Sequence, residues 1–423
     1  MTDSTEYDVI VIGAGPAGSS AAAVLAEAGR RVLVLERDRF PRYKVGESMI
    51  PFTHYPLKRL GLVDRMRRSP FVKKYSVQFV APSGKASQPF YFSSRYDDDV
   101  AQTWQVLRSE FDEMLMDNAR SKGATVVEEV AVESMISEAG VTTGVRARRK
   151  DGREVEWRAP MTLDCSGKEA FAATRKRWRK RDPKLNKVAI WTYYRGAMRD
   201  EGIDAGATTV AFVPEKGWFW YIPQHDDMVS VGVVAEGNYL TRDGVKEPAA
   251  IFEREIGQNL WIKEHLAPGE QVGKHHVTSE YTFRSEFCAE EGLLLVGDAF
   301  GFLDPVFSSG LLLALKSGVL AGENVDRALT EGSVKPSQFT QYSQVMIQGI
   351  ENMRKLVYAF YDPDFSFKDL TARYPELAED VTDCLSGDVN KDFSRLWKAI
   401  EDFAPIPSEL SYGAPAPEME VAV

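Results

Sequence analysis

Residues 7–36 read YDVIVIGAGPAGSSAAAVLAEAGRRVLVLE, and this stretch decides the fold. Asp8 to Ile12 reads as a buried strand, a short apolar run that ends at glycine. Gly13-Ala14-Gly15-Pro16-Ala17-Gly18 follows at once. Ser19 to Ala28 is alanine-rich and helix-forming, and Gly29 is placed to stop that helix. Arg31 to Leu35 is a second apolar run, closed by Glu36. Each residue type has a physical job. Gly13 permits the tight turn, Gly15 lets a pyrophosphate approach the backbone, and Gly18 lets helix and strand pack closely. The helix N-terminus offers unpaired N–H groups and a positive dipole to phosphates. Glu36 is the carboxylate expected on a ribose hydroxyl pair. Strand, glycine turn, helix and acid in this order predict dinucleotide binding, with Pro16, Ala17 and Arg37 completing the loop-side set.

The rest of the composition bounds the answer. A chain of 423 residues calls for two or three structural units. Apolar content of 44% and charged content of 27% are those of a soluble globular protein. A net charge of −10 argues against nucleic acid as a general partner. The densest basic run, Arg175 to Arg181, is read as a solvated face or loop, with docking of an acidic partner as the sharper alternative. Three widely spaced cysteines, Cys165, Cys288 and Cys384, form no metal pattern and suit a reducing cytoplasm. No signal peptide and no membrane span are expected.

Outward from the opening unit, Arg37 to Phe52 is a polar link with as much claim to cofactor contact as to a structural role. A helix is expected near 56–62. Strands are expected at 71–79, 88–92, 188–196, 208–213, 218–223, 228–234, 272–277 and 279–283. A meander is expected through 124–129, 131–137, 143–149 and 154–159. Met161 to Asp164 and Gly292 to Val296 read as further buried strands, and 248–266, 309–329 and 336–361 read as helical. Arg108 marks the start of another helix.

Gly297-Asp298-Ala299 after an apolar strand is a second cofactor signal: Asp298 is placed to bond a ribityl hydroxyl beside a helix N-terminus. With the opening unit, Arg108 and Leu163-Asp164-Cys165-Ser166-Gly167, the sequence resembles the FAD-dependent monooxygenase superfamily. FAD rather than NAD follows from that resemblance. Three further segments resemble flavin-dependent halogenases. Gly217-Trp218-Phe219-Trp220-Tyr221-Ile222-Pro223 matches WxWxIP, Phe302-Leu303-Asp304-Pro305-Val306-Phe307-Ser308-Ser309-Gly310 matches FxxPxxSxG, and Phe71-Val72-Lys73-Lys74 resembles FxxK.

The resemblance implies the roles. Reduced FAD, supplied by a separate flavin reductase, and oxygen oxidise a bound halide, and the hypohalous acid passes through a tunnel to a lysine amine. Lys74 is the candidate, with Phe71 and Tyr75 as its apolar shell and Lys73 as the fallback, since strand alternation turns only one of the pair inward. Ser309 and Gly310 are expected to offer backbone N–H groups to chloride or bromide. Ser308 is expected to link the flavin region to the lysine, and Trp218 and Trp220 to form a wall between substrate and flavin. Indole-directed members carry glutamate where Phe307 stands, so the sequence resembles the branch acting on phenols, pyrroles or acyl groups tethered to a carrier. His54 and Glu47 are weak candidates for the missing base.

The expected fold class is α/β with an α+β insertion. A Rossmann-type FAD-binding domain comes from 1–70, 100–170 and 290–345. A mixed or antiparallel substrate-side sheet comes from 71–99 and 185–289, followed by a C-terminal helical region over 346–404 that covers the substrate chamber. Residues 405–423 are expected as a disordered tail. Two other functions stay open: a monooxygenase or geranylgeranyl-reductase-like flavoprotein, marked by an open cavity at the flavin, and a flavin-binding redox partner, marked by a cavity near Lys74 too small for an aromatic ring.

Overall fold

In the computed structural model, which describes residues 7–97, 99–215, 217–279 and 282–418, the opening stretch folds as strand Val9–Ile12, helix Pro16–Glu27 and strand Val32–Leu35. Both strands are buried at every position, as continuous apolar runs must be when covered on both faces. Val9–Ile12 pairs in parallel with Val32–Leu35 on one side and Met161–Asp164 on the other. Thr125–Val127 forms one edge beside Val32–Leu35, Leu293–Leu295 pairs with Met161–Asp164, and the short antiparallel Ala289–Glu290 forms the other edge of six strands.

A seven-stranded sheet stands beyond it, ordered Glu270–Ser279, Lys187–Arg195, Met228–Glu236, Trp218–Pro223, Thr208–Phe212, Ser76–Val80 and Phe90–Tyr91. Helices Gly310–Thr330 and Thr340–Tyr361 close the molecule, and one hydrophobic cluster runs from the parallel sheet through Trp218 and Trp220 into these helices. That shared core crosses the expected boundaries. The division at 345/346 falls inside Thr340–Tyr361, and the division at 99/100 is bridged by pairing of Val72–Lys74 with Thr103–Gln105.

Several expectations change. The strand over 71–79 is interrupted at Tyr75, and its halves join different sheets. Thr125–Val127 leaves the expected meander, because its apolar residues complete the parallel sheet beside Val32–Leu35; the other three strands form their own sheet. The strands expected over 272–277 and 279–283 are one strand, Glu270–Ser279. Residues 280 and 281 lie outside the described set, and Phe283–Ser285 pairs elsewhere. The helix over 248–266 splits before Leu260, where the Asn259 side chain accepts from Ile262 N and caps a new start.

Residues 405–418 are not a disordered tail. Gly413 N donates to Glu286 O at 2.7 Å, Ala416 N to Ala289 O at 2.8 Å, and Cys288 N to Ala414 O at 3.1 Å, so main-chain bonds dock the segment along a sheet edge despite its composition. Residues 419–423 lie outside the described set. Among the described residues no helix is long and apolar enough to cross a membrane.

Candidate active site

The glycines do what close packing requires. A Cβ on Gly18 would lie 1.9 Å from Gly13 O, and one on Gly13 2.7 Å from Cys165 O. A Cβ on Gly15 would meet only the Arg42 guanidinium, at 3.6 Å, and would otherwise project into a cleft of about 940 Å³. Gly13, Gly15, Pro16, Ala17, Glu36, Arg37, Arg108 and Asp298 line that cleft. Gly18 and Gly297 do not: each gives up its side chain to packing, Gly297 against Ala17. Glu36 braces the loop, its Oε2 accepting from Ala14 N at 2.9 Å and its Oε1 from Asp38 N at 3.0 Å. Arg37 pairs with Glu169 at the cleft surface. Arg108 donates to Asp112 at 2.8 and 3.0 Å and to Val45 O at 2.8 Å. Desolvation raises the Asp298 carboxyl to about 6, with Arg108 and Lys168 opposing.

Other basic groups reach the cleft that the sequence did not assign to it. Arg42, in the polar link, sits 3.0 Å from Asp112 and 3.8 Å from Glu36, and its Nε is buried without a partner among the described residues. Arg175 and Arg179, from the run read as a solvated face, also line the cleft, stacked over Phe171 at 3.7 Å and Phe283 at 4.0 Å. The volume lies near the top of the range of roughly 300–1,000 Å³ for ligand sites. A backbone cradle, a carboxylate at the second strand end and an orphaned guanidinium nitrogen fit FAD.

Lys74 lines a second cavity, which shares no lining residue with that cleft. Its side chain is wholly buried while Lys73 is exposed. Nζ donates to Ser48 Oγ and to Met49 O, both at 2.9 Å, and stands 5.8 Å from the Phe92 ring. Desolvation lowers its pKa to about 7. The expected shell is different. Phe71 packs instead on Phe111 and His225, because three residues along an extended chain put it on the face opposite Lys74, and Phe92, Phe79 and Ile50 surround the amine's cavity. This cavity measures about 30 Å³ and is shared by Lys74, Thr208, Phe307 and Ser308. It holds a water-sized molecule but not an aromatic ring, which needs on the order of 150 Å³. Leu385, Thr382 and Ser386 of the C-terminal helix Ala378–Ser386 form its cover.

Trp218 and Trp220 face the same side of their strand, ring centroids 6.2 Å apart. Trp218 Nε1 donates to Tyr361 Oη at 2.8 Å, and Tyr361 donates to Asp304 at 2.9 Å, so the WxWxIP strand is tied to the FxxPxxSxG segment. Trp220 Nε1 donates to Ser230 Oγ at 3.1 Å, which reaches Glu47 at 3.5 Å. Of the aromatic run 358–361, Phe360 packs on Phe307 and Tyr358 donates to Asp182. Glu47 accepts from Tyr193 at 2.7 Å, and burial pushes its carboxyl up. Neither Glu47 nor His54 lines the Lys74 cavity. Ser308 adopts φ +55, Ser309 is buried, and Gly310 opens helix Gly310–Thr330 at an exposed position.

The family model described as tryptophan halogenase matches residues 8–94 and 81–398. A 1H-pyrrole-2-carbonyl peptidyl-carrier-protein chlorinase of Pseudomonas fluorescens is 29% identical over 408 residues, covering 91% of this chain and 90% of its own. A flavin-dependent halogenase of Armillaria mellea is 33% identical, covering 75% of this chain and 67% of its own. The solved structure of the flavin-dependent brominase Bmp2 superposes with a TM-score of 0.85 at 26% identity, covering 94% of this chain and 99% of that one.

Proposed function

The chain belongs to the flavin-dependent halogenases, FAD-dependent oxidoreductases, and from that premise we propose that it delivers hypohalous acid to Lys74 and halogenates an electron-rich aromatic carried on an acyl-carrier protein. The observation that carries the reading is an enclosed cavity in which a desolvated amine meets Ser308 and Phe307 of the FxxPxxSxG segment. Bound FAD, reduced by a separate reductase and met by oxygen, supplies the oxidising equivalent. Gly13, Gly15, Pro16, Ala17 and the start of the first helix hold its pyrophosphate, Glu36 the ribose, and Arg37, Arg42, Arg108 and Asp298 the remaining polar groups. Gly18 and Gly297 act from behind by keeping the loop closed.

Ser309 and Gly310 hold the halide with main-chain N–H groups at the start of a 21-residue helix, where the dipole favours an anion. Ser308, held left-handed, leads from that turn into the Lys74 cavity. Trp218 and Trp220 exclude organic substrate and bulk water from the flavin side. Lys74, uncharged over much of the range above pH 7, has a lone pair with which to take the halogen. The small cavity is the mark set for a redox partner without organic substrate, but membership of an enzyme family outweighs it, and the substrate ring enters by displacing the C-terminal cover. Two relatives named for pyrrolyl-carrier substrates, at 29% and 28% identity, support the tethered aromatic, as does Phe307 in place of glutamate.

The test is mass spectrometry of reactions containing reduced FAD, oxygen, bromide and either pyrrolyl-loaded carrier protein or free phenols. Brominated carrier is the expected product, and Lys74→Ala abolishes it while FAD reoxidation continues. Undiminished product from Lys74→Ala would remove the lysine from the reaction.

A further inference from the structure

The Lys74 amine has two hydrogen-bond partners, and only one can hand a proton on. Met49 O is a carbonyl that accepts and goes no further, whereas Ser48 Oγ accepts one proton while giving up another. Ser48 Oγ lies 2.8 Å from Thr208 Oγ1. Either hydroxyl can donate across this contact, and Gln105 holds its Thr208 end. Gly206 O can only accept, so the Gln105 amide turns Nε2 toward it at 3.0 Å, and the same Nε2 donates to Thr208 Oγ1 at 2.8 Å. The amide keeps that orientation although its Oε1 is left buried without a partner among the described residues. When Ser48 is the donor across this contact, Thr208 Oγ1 accepts from Gln105 and Ser48, and its own proton points into the cavity that Thr208 lines together with Lys74. Lys74, Ser48, Gln105 and Thr208 are each at most 5% exposed, so bulk water does not compete. The cavity is thus touched at both ends of one chain: by the amine and by the threonine hydroxyl.

Resting on the role of Lys74 given above, we propose that Ser48 and Thr208 form a two-hydroxyl relay that returns the amine's proton to the cavity as Lys74 takes halogen from hypohalous acid. The nitrogen lone pair forms the N–halogen bond while the O–halogen bond breaks, its electron pair leaving with hydroxide. The N–H proton passes to Ser48 Oγ, the Ser48 proton to Thr208 Oγ1, and the Thr208 proton to the hydroxide, giving water. No oxidant beyond hypohalous acid is consumed. When the halogen moves on to carbon the chain runs backwards: the arenium proton goes to Thr208 Oγ1, the Thr208 proton to Ser48, and the Ser48 proton to nitrogen. This also supplies the base that Phe307 cannot provide. Ser48 and Thr208 are then catalytic, each carrying a proton to or from a reacting atom, and Gln105 is a positioning residue.

Thr208→Val keeps the side chain's shape and deletes the hydroxyl, Thr208→Ser restores the hydroxyl, and Ser48→Ala breaks the first link. The FAD-loaded chain receives photoreduced FAD, oxygen and chloride without organic substrate, and peptide mass spectrometry reads chlorine on residue 74 per FAD reoxidised. A second arm adds one equivalent of hypochlorous acid to the FAD-free chain and reads the same peptide. General acid–base groups contribute about 10²–10⁴-fold, so Thr208→Val and Ser48→Ala are expected to slow chlorination of residue 74 by at least about tenfold in both arms, with Thr208→Ser within about threefold of the parent. Parental rates in Thr208→Val overturn the relay and leave Lys74's role standing. A loss that Thr208→Ser does not restore also overturns it, as a packing effect. A parent chain that never carries chlorine on residue 74 removes the role of Lys74, and the relay with it.

Discussion

Lys74 is a cation's side chain placed where a cation is costly. Desolvation lowers its pKa from 10.5 to about 7, and at 1.36 kcal/mol per unit this corresponds to a cost on the order of 5 kcal/mol near pH 7. The unfolded chain keeps the proton up to about pH 10.5 and the folded chain releases it above about 7. Between those values the unfolded state binds more protons, so stability rises with pH. Lys74→Met removes the titration at similar volume and forfeits two hydrogen bonds worth about 1 kcal/mol each. It is therefore expected to stabilise the fold by a few kcal/mol near pH 7, with the gain shrinking toward pH 10.5. Urea unfolding of parent and variant at about pH 7, 8.5 and 10 measures this. A difference that does not change with pH would mean the amine is already solvated. Strand alternation showed in the sequence that one of Lys73 and Lys74 turns inward, and the motif pointed to Lys74. Its partners did not show, because Ser48, Phe92 and Thr208 meet it only through tertiary pairing of separate segments.

Among elements, the opening strand–loop–helix was readable because its requirements are local. Apolar runs, glycines and an acid at fixed offsets are forced by one turn's geometry, and Val9–Ile12, Pro16–Glu27 and Val32–Leu35 follow them. The interrupted strand at Tyr75 and the defection of Thr125–Val127 from the meander were not readable, since an apolar strand does not say which sheet it joins. The same loop separates two glycines that look alike in sequence. Gly18→Ala drives a Cβ to 1.9 Å from Gly13 O and is expected to destroy the loop, giving insoluble or unfolded protein. Gly15→Ala meets nothing nearer than 3.6 Å, so the apo fold is expected to keep its melting temperature within a few degrees while FAD affinity falls at least about tenfold, the methyl standing where the pyrophosphate must approach. Differential scanning fluorimetry with a flavin fluorescence titration separates the two. Unchanged FAD affinity in Gly15→Ala would move the pyrophosphate away from this loop.

Over the whole molecule, the C-terminal helices and the substrate-side sheet meet above Lys74, and one buried carboxylate fastens them. Asp383, on helix Ala378–Ser386, accepts from Arg95 at 2.9 Å, from Tyr96 at 2.7 Å and from Lys391 at 2.6 Å. Burial works to raise its pKa, and these hydrogen bonds outweigh burial and hold the carboxyl below its usual range. Arg95 and Tyr96 lie three and four residues after Phe92, and Thr382 and Ser386 lie on the same helix as Asp383, so the fastening joins the two walls of the Lys74 cavity. The sequence suggested that this region covers a chamber but not what holds it, because the latch pairs residues nearly three hundred positions apart, a separation of 288. Asp383→Asn keeps the shape and removes the charge that holds two cations, a loss worth about 1–3 kcal/mol for charge-assisted bonds. Because 1.4 kcal/mol is a factor of ten, amide exchange in 378–386 is expected to accelerate about five- to a hundredfold, with exchange in the parallel strand Val9–Ile12 unchanged. If opening this cover is what admits a ring to a cavity of about 30 Å³, the KM for a tethered aromatic falls in Asp383→Asn as the closed state loses its hold. Faster exchange with an unchanged KM would show that the ring enters by another wall, and exchange at the parental rate would show that packing, not Asp383, keeps the cover shut.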